Sequence, residues 1–367
     1  MKVVLKDYSK FRTNLQFYSM NIRKLIVLLL LFMFVGCRSN SFDEEYTAPV
    51  FKQTFDRDVV VLNDDFIFDF ANCIAVVDSL LITAFQTSSS YGFFHVFNKH
   101  TGECLKSFGG IGRGPGEMLT RIASYSLDPT SKKLYAKGYN DPKIVVFDIS
   151  QAMGESSVPF EEIQIDTHAS SVTRDDFHYK DDIFLFRGNR AFRYALLNSN
   201  LDTLATYHAY PIITEEDVNN EYARKLFYTA YSAVGIKPDR TKFVNTTRNG
   251  LLMEIFDILG NKIELAYLWR YIKPSYIADE ITARYVKDPG GITAVSVTDN
   301  YIYTVLCTNR DENITANNLW VFDWGGQPVK QYKLDKNVVS IVIDEDEGVA
   351  YAQIAEKETV CLGKFQL

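Results

Sequence analysis

Short stretches in which apolar and polar residues alternate recur along the chain, and two kinds of stretch repeat in a fixed order. One is an apolar strand that ends on an acidic or amide residue and then turns. It reads Val96-Phe97-Asn98, Val146-Phe147-Asp148, Leu196-Leu197-Asn198, Ile255-Phe256-Asp257 and Val321-Phe322-Asp323, with Lys364-Phe365-Gln366 as a degenerate last copy. The central residues are spaced 50, 50, 59, 66 and 43 apart. Most copies run into a Gly or Asn turn and a further strand, the pattern of a hairpin. Ahead of each copy stands the other unit: an alternating strand, an Asp-bearing turn, and a strand rich in Tyr, Phe and Leu. Its turns carry Asp78, Asp128, Asp181-Asp182, Asp239, Asp299 and Asp344.

Together these units give four short antiparallel strands per repeat, six times over, at about 55 residues per repeat across the 331 residues after Gly36. The expected fold is all-β, a six-bladed β-propeller. A β-sandwich of roughly 100 residues would not account for two units recurring six times in register. The last repeat, ending at Leu367, has room for only three strands. Residues 55–70, with Val59-Val60-Val61-Leu62 at their centre, are therefore expected to close the ring as an N-terminal strand, leaving no open edge.

Two longer segments interrupt the strand pattern. Thr214-Glu215-Glu216-Asp217 has the chemistry of a helix N-terminus, continued over 218–233, and residues 276–285 are a second helical candidate. Both fall between the outer strand of one repeat and the inner strand of the next, as does a Gly-rich loop at 109–116. In an alternating blade those crossings emerge at the same mouth as the loops between second and third strands. Short helical insertions are thus expected on one face.

The first 50 residues follow no such pattern. Residues 25–35 are eleven consecutive apolar residues flanked by Arg23-Lys24 and Gly36-Cys37. That is too short for a spanning helix of about 20 residues but fits the core of a secretory signal. Residues 1–36 read as a signal peptide with its start at Met20, since the residues before Met20 push the basic flank away from the N-terminus. Phe34-Val35-Gly36-Cys37 resembles a bacterial lipobox, a small residue before a lipidated Cys, with Phe34 departing from the usual Leu. The alternative is an ordinary signal with a chance cysteine. Lipidated Cys37 would anchor without spanning. Residues 37–50 then read as a polar tether and 51–367 as the propeller.

Charge and composition narrow the function. The chain has 39 Lys+Arg and 46 Asp+Glu, and losing residues 1–36 removes six bases and one acid, moving the net charge from -7 to -12. That argues against nucleic acid, whose binding rests on cations neutralising phosphates. The apolar fraction of 47% excludes disorder. Cys73, Cys104, Cys307 and Cys361 could form two disulfides by number, yet each lies in an apolar strand-like run, where a buried free thiol is commoner. The five histidines are scattered without ligand spacing, so neither metal nor cofactor is expected.

Five glycines among residues 109–116 lack the Lys-Ser/Thr of a phosphate cradle, and the loop reads as a blade junction with Arg113 and Glu117 bridging blades. Asp344-Glu345-Asp346-Glu347-Gly348 misses the ligand spacing of a calcium loop and reads as a hairpin turn. Arg187, Arg190 and Arg193 form a basic cluster in one of the loops between second and third strands. With Tyr91 and Tyr139 from equivalent loops they are the candidate cup for an anionic or polyhydroxyl ligand, partly exposed and facing one space. A solvated loop is the alternative.

Residues 108–118, followed by Leu127-Asp128, Leu134-Tyr135 and Ile144-Val145-Val146-Phe147-Asp148, resemble an NHL-type propeller repeat. More closely, Gly112-Arg113-Gly114-Pro115-Gly116-Glu117 after a lipoprotein signal resembles the six-bladed, TolB-like propeller lipoproteins of Bacteroidetes, over essentially all of residues 50–367. The resemblance implies an outer-membrane lipoprotein of the cell envelope, periplasmic or surface-exposed, and carries no catalytic residues with it. The expected function is binding of a protein or of a small-molecule or glycan ligand by a monomer that meets the membrane only through its lipid. A propeller hydrolase or lyase with a site in the central channel is the alternative. It is disfavoured because the inner-strand segments 73–77, 123–127, 292–297 and 338–343 carry neither paired carboxylates nor a histidine.

Overall fold

Hairpin by hairpin, the alternating stretches pair as their spacing requires. The computed structural model describes residues 46–367 apart from 65–70, 86–91, 121, 140, 155–156, 166–172, 189–191, 199, 201, 231, 279–282, 286–289, 309–314 and 357–358. Two strands, β1 (Gln53–Arg57) and β2 (Val60–Asn63), precede a first blade of β3 (Ala71–Val77), β4 (Leu80–Phe85), β5 (Phe94–Asn98) and β6 (Cys104–Phe108). The second blade is β7 (Ile122–Asp128), β8 (Lys133–Gly138), β9 (Lys143–Asp148) and β10 (Phe160–Gln164). The third is β11 (Thr173–Lys180), β12 (Ile183–Gly188), β13 (Tyr194–Asn198) and β14 (Thr203–Tyr207). The fourth is β15 (Ser232–Ile236), β16 (Lys242–Thr247), β17 (Leu251–Ile258) and β18 (Ile263–Ile272). A hairpin of β19 (Tyr276–Ala278) and β20 (Ala283–Tyr285) leads to the fifth, β21 (Gly291–Val297), β22 (Tyr301–Thr308), β23 (Thr315–Asp323) and β24 (Pro328–Leu334). The sixth holds β25 (Asn337–Asp344), β26 (Val349–Glu356) and β27 (Thr359–Gln366). This is an all-β, six-bladed propeller.

The repeated apolar–Asx motif is the joint between blades. Phe147 packs in one cluster with Phe94 and Phe108 of the first blade, and Leu197 with Ile144 and Val146 of the second. Phe256 packs with Leu185 and Tyr194 of the third blade, Phe322 with Met253 and Tyr271 of the fourth, and Phe365 with Tyr303 and Tyr332 of the fifth. Phe97 completes the circle against Tyr351 and Leu362 of the sixth. Each such side chain stabilises by about 1.5–3 kcal/mol on burial. The Asx that follows shapes the next turn by accepting N–H groups a few residues on. Asn98 Oδ1 accepts from His100 N at 2.9 Å, Asp148 Oδ1 from Ser150 N at 3.0 Å, and Asp323 Oδ1 from Gly325 N and Gln327 N at 2.9 Å.

The last blade borrows its fourth strand from the N-terminal side. β2 pairs antiparallel with β27, Val60 opposite Lys364 and Val61 opposite Gly363. Gly102 makes room for it: its φ is +76°, and a Cβ there would lie 2.5 Å from Leu62 O. Asn63 Nδ2 donates to Gly102 O at 2.8 Å. The sequence pattern carries no sign of β1, which adds to the fifth blade parallel to β24, with Phe55 stacked on Tyr332 at 5.4 Å. Further upstream Phe51 packs against Trp320 and Phe322.

Between the third and fourth blades a capping box of Thr214 and Asp217 opens the short helix α1 (Glu215–Asn219), and α2 (Glu221–Ala230) follows, as expected. The second helical candidate is instead the β19–β20 hairpin, Tyr276 opposite Tyr285. Tertiary contact decides it. The Tyr276 ring stacks on Phe227 at 4.0 Å, its hydroxyl donates to Asp217 Oδ1 at 2.5 Å, and Tyr276 and Ile277 are residue types that suit an extended strand.

Strand alternation puts the first and third turns of each blade on one face, and the second turns and blade crossings on the other. Cross-blade contacts agree. Lys132 Nζ meets Asp78 Oδ2 at 2.6 Å and Asn300 Nδ2 meets Glu345 Oε1 at 3.3 Å, first turn to first turn. On the insertion-bearing face Ala316 N donates to Asn337 Oδ1 at 2.9 Å. No helix among the described residues is long and apolar enough to cross a membrane.

Candidate functional site

The inner strands β3, β7, β15, β21 and β25 line an axial channel of about 930 Å³. Small residues leave the axis open, and the hydroxyls of Ser124, Ser126, Ser232, Thr293, Ser296 and Ser340 give it polar walls. At the insertion-bearing end stand Arg187, at the end of β12, and Arg248, just past β16. Arg187 is buried, and its Nη1 donates to Ser232 Oγ at 2.5 Å. Arg248 is exposed.

The opposite end is acidic. Asp78, Asp299, Asp344, Glu345, Asp346 and Glu347 line it, against Lys99 and Arg240. Lys99 Nζ lies 2.7 Å from both Asp344 Oδ2 and Glu347 Oε1, clamping the first blade to the sixth. Burial alone would lower the Lys99 pKa, but the two carboxylates outweigh it and the pKa is raised. Among the described lining residues, the channel thus carries two arginines at one mouth and a group of carboxylates at the other.

The structure separates the arginines that the sequence groups. Arg193 is only 1% exposed: its guanidinium forks onto Glu254 across the third and fourth blades, with Nη1 2.8 Å from Oε1 and Nη2 paired to Oε2. Asn245 Nδ2 donates to the same carboxylate at 3.1 Å. Arg193 thus serves a blade joint, and Arg187 is buried in the channel wall where the sequence suggests partial exposure. Tyr139 is exposed on the rim of the second blade, outside the channel lining, with its carbonyl accepting from Thr120 Oγ1 at 2.7 Å. Tyr91, Arg190 and the signal and anchor residues through Cys37 lie outside the described residues.

The motif of Gly112, Arg113, Gly114, Pro115, Gly116 and Glu117 lies at the crossing from the first blade to the second. Arg113 and Glu117 do not bridge the blades. Arg113 is exposed, and Glu117 folds back so that its Oε2 accepts from Gly114 N at 2.7 Å, in space that a Cβ on Gly112 would fill. Glu162 of β10 holds the loop instead, accepting from Gly116 N at 3.0 Å. Residues 344–348 form a hairpin turn as expected, and Cys104, half-buried, and Cys307 and Cys361, both buried, are not joined in disulfides among the described residues. Among the described residues no group of three or more His, Cys, Asp or Glu is arranged to hold a metal.

Two features escape the sequence pattern. Arg248 sits in the fourth blade's second turn, the register of the 187–193 loop, so extending that register to every repeat would find it. The inner strand of the third blade is β11, which carries Asp175, Asp176 and His178, with Asp175 opposite Arg187 in the ladder. The inner strands are therefore not all free of carboxylates and histidine.

A ring of six antiparallel blades, the fifth extended by β1, around an axial channel defines the six-bladed propeller class. The profile of the TolB-like 6-blade propeller-like family matches residues 50–346, and the chain belongs to that family. Among solved structures, a protein of Bacteroides fragilis NCTC 9343 described as exported is similar with a TM-score of 0.51 at 11% identity, over 87% of this chain and 97% of that one. A member of the DUF4221 family from Bacteroides vulgatus ATCC 8482 is similar with a TM-score of 0.51 at 10% identity, over 88% and 96%. At such identities the likeness is one of fold. No curated protein matches the chain.

Proposed function

We propose that this chain is a lipid-anchored binding module of the cell envelope that takes an anionic or polyhydroxyl ligand at the insertion-bearing mouth of its channel. One observation carries the reading: both arginines that line that end of the channel share a face with the helices, the hairpin and the Gly-rich loop. A guanidinium fork suits a carboxylate, and serine-lined walls suit hydroxyl groups. The lipobox-like residues 34–37 support the anchor, and the exported description of the Bacteroides fragilis neighbour is in keeping with an envelope address. The test is a screen of the purified protein against acidic and neutral oligosaccharides, where selective retention of acidic members is the expected result and indifference to charge counts against it.

A hydrolase or lyase is the second reading, and Asp175, Asp176 and His178 on β11 are the observation that favours it. Metal analysis of the purified protein separates the two: stoichiometric calcium or zinc moves the assignment to catalysis.

A further inference from the structure

We infer that the insertion-bearing face is turned toward the bilayer, and that the module of α1, α2 and the β19–β20 hairpin rests on lipid at headgroup depth. This rests on the lipoprotein reading of Cys37. Three observations lead to it.

The first is where the tether ends. Tyr46 packs against the core of that module, formed by Tyr210, Ile213, Phe227, Tyr228 and Tyr276. Burial, and after it the charge of Asp217, pushes the Tyr46 phenol up to about 12. Thr47 N donates to Arg270 O at 3.4 Å, fixing the segment beside the fourth blade. Eight residues separate Tyr46 from Cys37, and the nine steps between them span at most about 30 Å when fully extended. An anchor on this side leaves the tether slack, whereas one at the opposite face would use about 20 Å of that reach to pass an inner strand of six or seven residues.

The second is the distribution of exposed apolar side chains. Ile212, Val218, Tyr222 and Ile277 stand out from the module, and Ile111, Leu119 and Tyr139 from the same face of the ring. Among the described residues the turns of the opposite face and the strand starts beside them expose Met153, Phe160, Leu204 and Leu259 in this class, without a tyrosine. Aliphatic groups beside tyrosines are the composition that settles at a membrane–water interface.

The third is charge. The opposite rim exposes Asp299, Glu345 and Asp346, which anionic headgroups repel. On the module, Glu221 is paired with Lys225 at 2.7 Å, while Glu215 and Glu216 remain acids that must stay in water. In this orientation the arginine-bearing mouth of the channel opens toward the membrane, so a ligand held at the membrane surface meets it first.

The test uses the full chain lipidated at Cys37, in vesicles of phosphatidylethanolamine and phosphatidylglycerol. A solvent-sensitive fluorophore is placed at Val218→Cys or, separately, at Asp346→Cys, with Cys37→Ala versions as untethered controls. Spin-labelled lipid should quench the probe at 218 and not at 346, and the quenching should vanish with Cys37→Ala. Quenching at 346, or at neither position while the chain floats with the vesicles, overturns the orientation. A lipidated preparation that does not float removes the anchor reading itself. Hydrogen exchange of the unlabelled chain supplies an independent readout, with amides of 212–222 slowed about fivefold on vesicles and those of 345–348 unchanged; the reverse pattern overturns the inference.

Discussion

At the residue scale two buried groups have measurable signatures. His95, on β5, is buried with Nδ1 2.6 Å from Ser107 Oγ, and burial pushes its pKa from 6.5 down to about 4, against a smaller opposing effect of the hydrogen bond it donates to the Gly92 backbone. Between those values the unfolded chain binds the extra proton. The stability tied to a neutral His95 is therefore whole above about pH 6.5, declines as the pH falls, and levels off below about pH 4, a change of no more than about 3 kcal/mol. Urea unfolding of the wild type and His95→Gln at pH 7 and pH 4.5 should show a loss in the wild type that the variant lacks; parallel curves would show that the imidazole carries no such coupling. Arg193 and Glu254 are the second case. Burial opposes the Arg193 charge but the Glu254 carboxylate outweighs it, and the pKa is raised. Glu254→Gln should cost about 3–5 kcal/mol in chemical denaturation, because it strands a buried guanidinium, whereas replacing both partners with apolar residues should cost less. This pair also shows what the local sequence could not reveal. Arg187, Arg190 and Arg193 read as one cluster by spacing, yet the partner that fixes Arg193 lies 61 residues on.

At the scale of elements, the strands are the most legible because turn chemistry and period-2 alternation mark them together. The Phe–Asx motif is both a joint and a turn, so its two halves agree on where each third strand ends. The α1–α2 insertion is legible for the same reason, its cap and first turn being local chemistry. The β19–β20 hairpin is not, because its conformation follows from Phe227 and Asp217 in another insertion. Nor is β1, whose partner β24 lies at the far end of the chain. The closing strand makes a prediction at this scale. A chain starting at Val50 keeps β1 and β2 and loses mainly the Tyr46 contact, whereas a chain starting at Asp64 leaves the edge of β27 open. The second should melt lower than the first by more than about 10 °C, several kcal/mol for a domain of this size. Equal melting temperatures by circular dichroism would show that the ring does not depend on β2.

At the scale of the whole molecule, repeat count and one-sided insertion were readable from the chain because each is a matter of order along it. The channel's charged ends were not, since they arise from turns of five different blades brought to opposite ends of one axis. That arrangement is what gives the binding account its direction. The most direct test is calorimetric titration of the purified protein with an oligogalacturonate, an acidic polyhydroxyl chain, comparing wild type, Arg248→Ala at the insertion-bearing mouth and Asp346→Ala at the other. Both side chains are exposed, so neither substitution should alter the melting temperature appreciably. Arg248→Ala should weaken binding at least about tenfold, the loss of one charge-assisted contact of about 1.4 kcal/mol, with Asp346→Ala unchanged or slightly tighter. Binding that survives Arg248→Ala intact, or that no variant shows at all, would contradict the assignment of this mouth as the site.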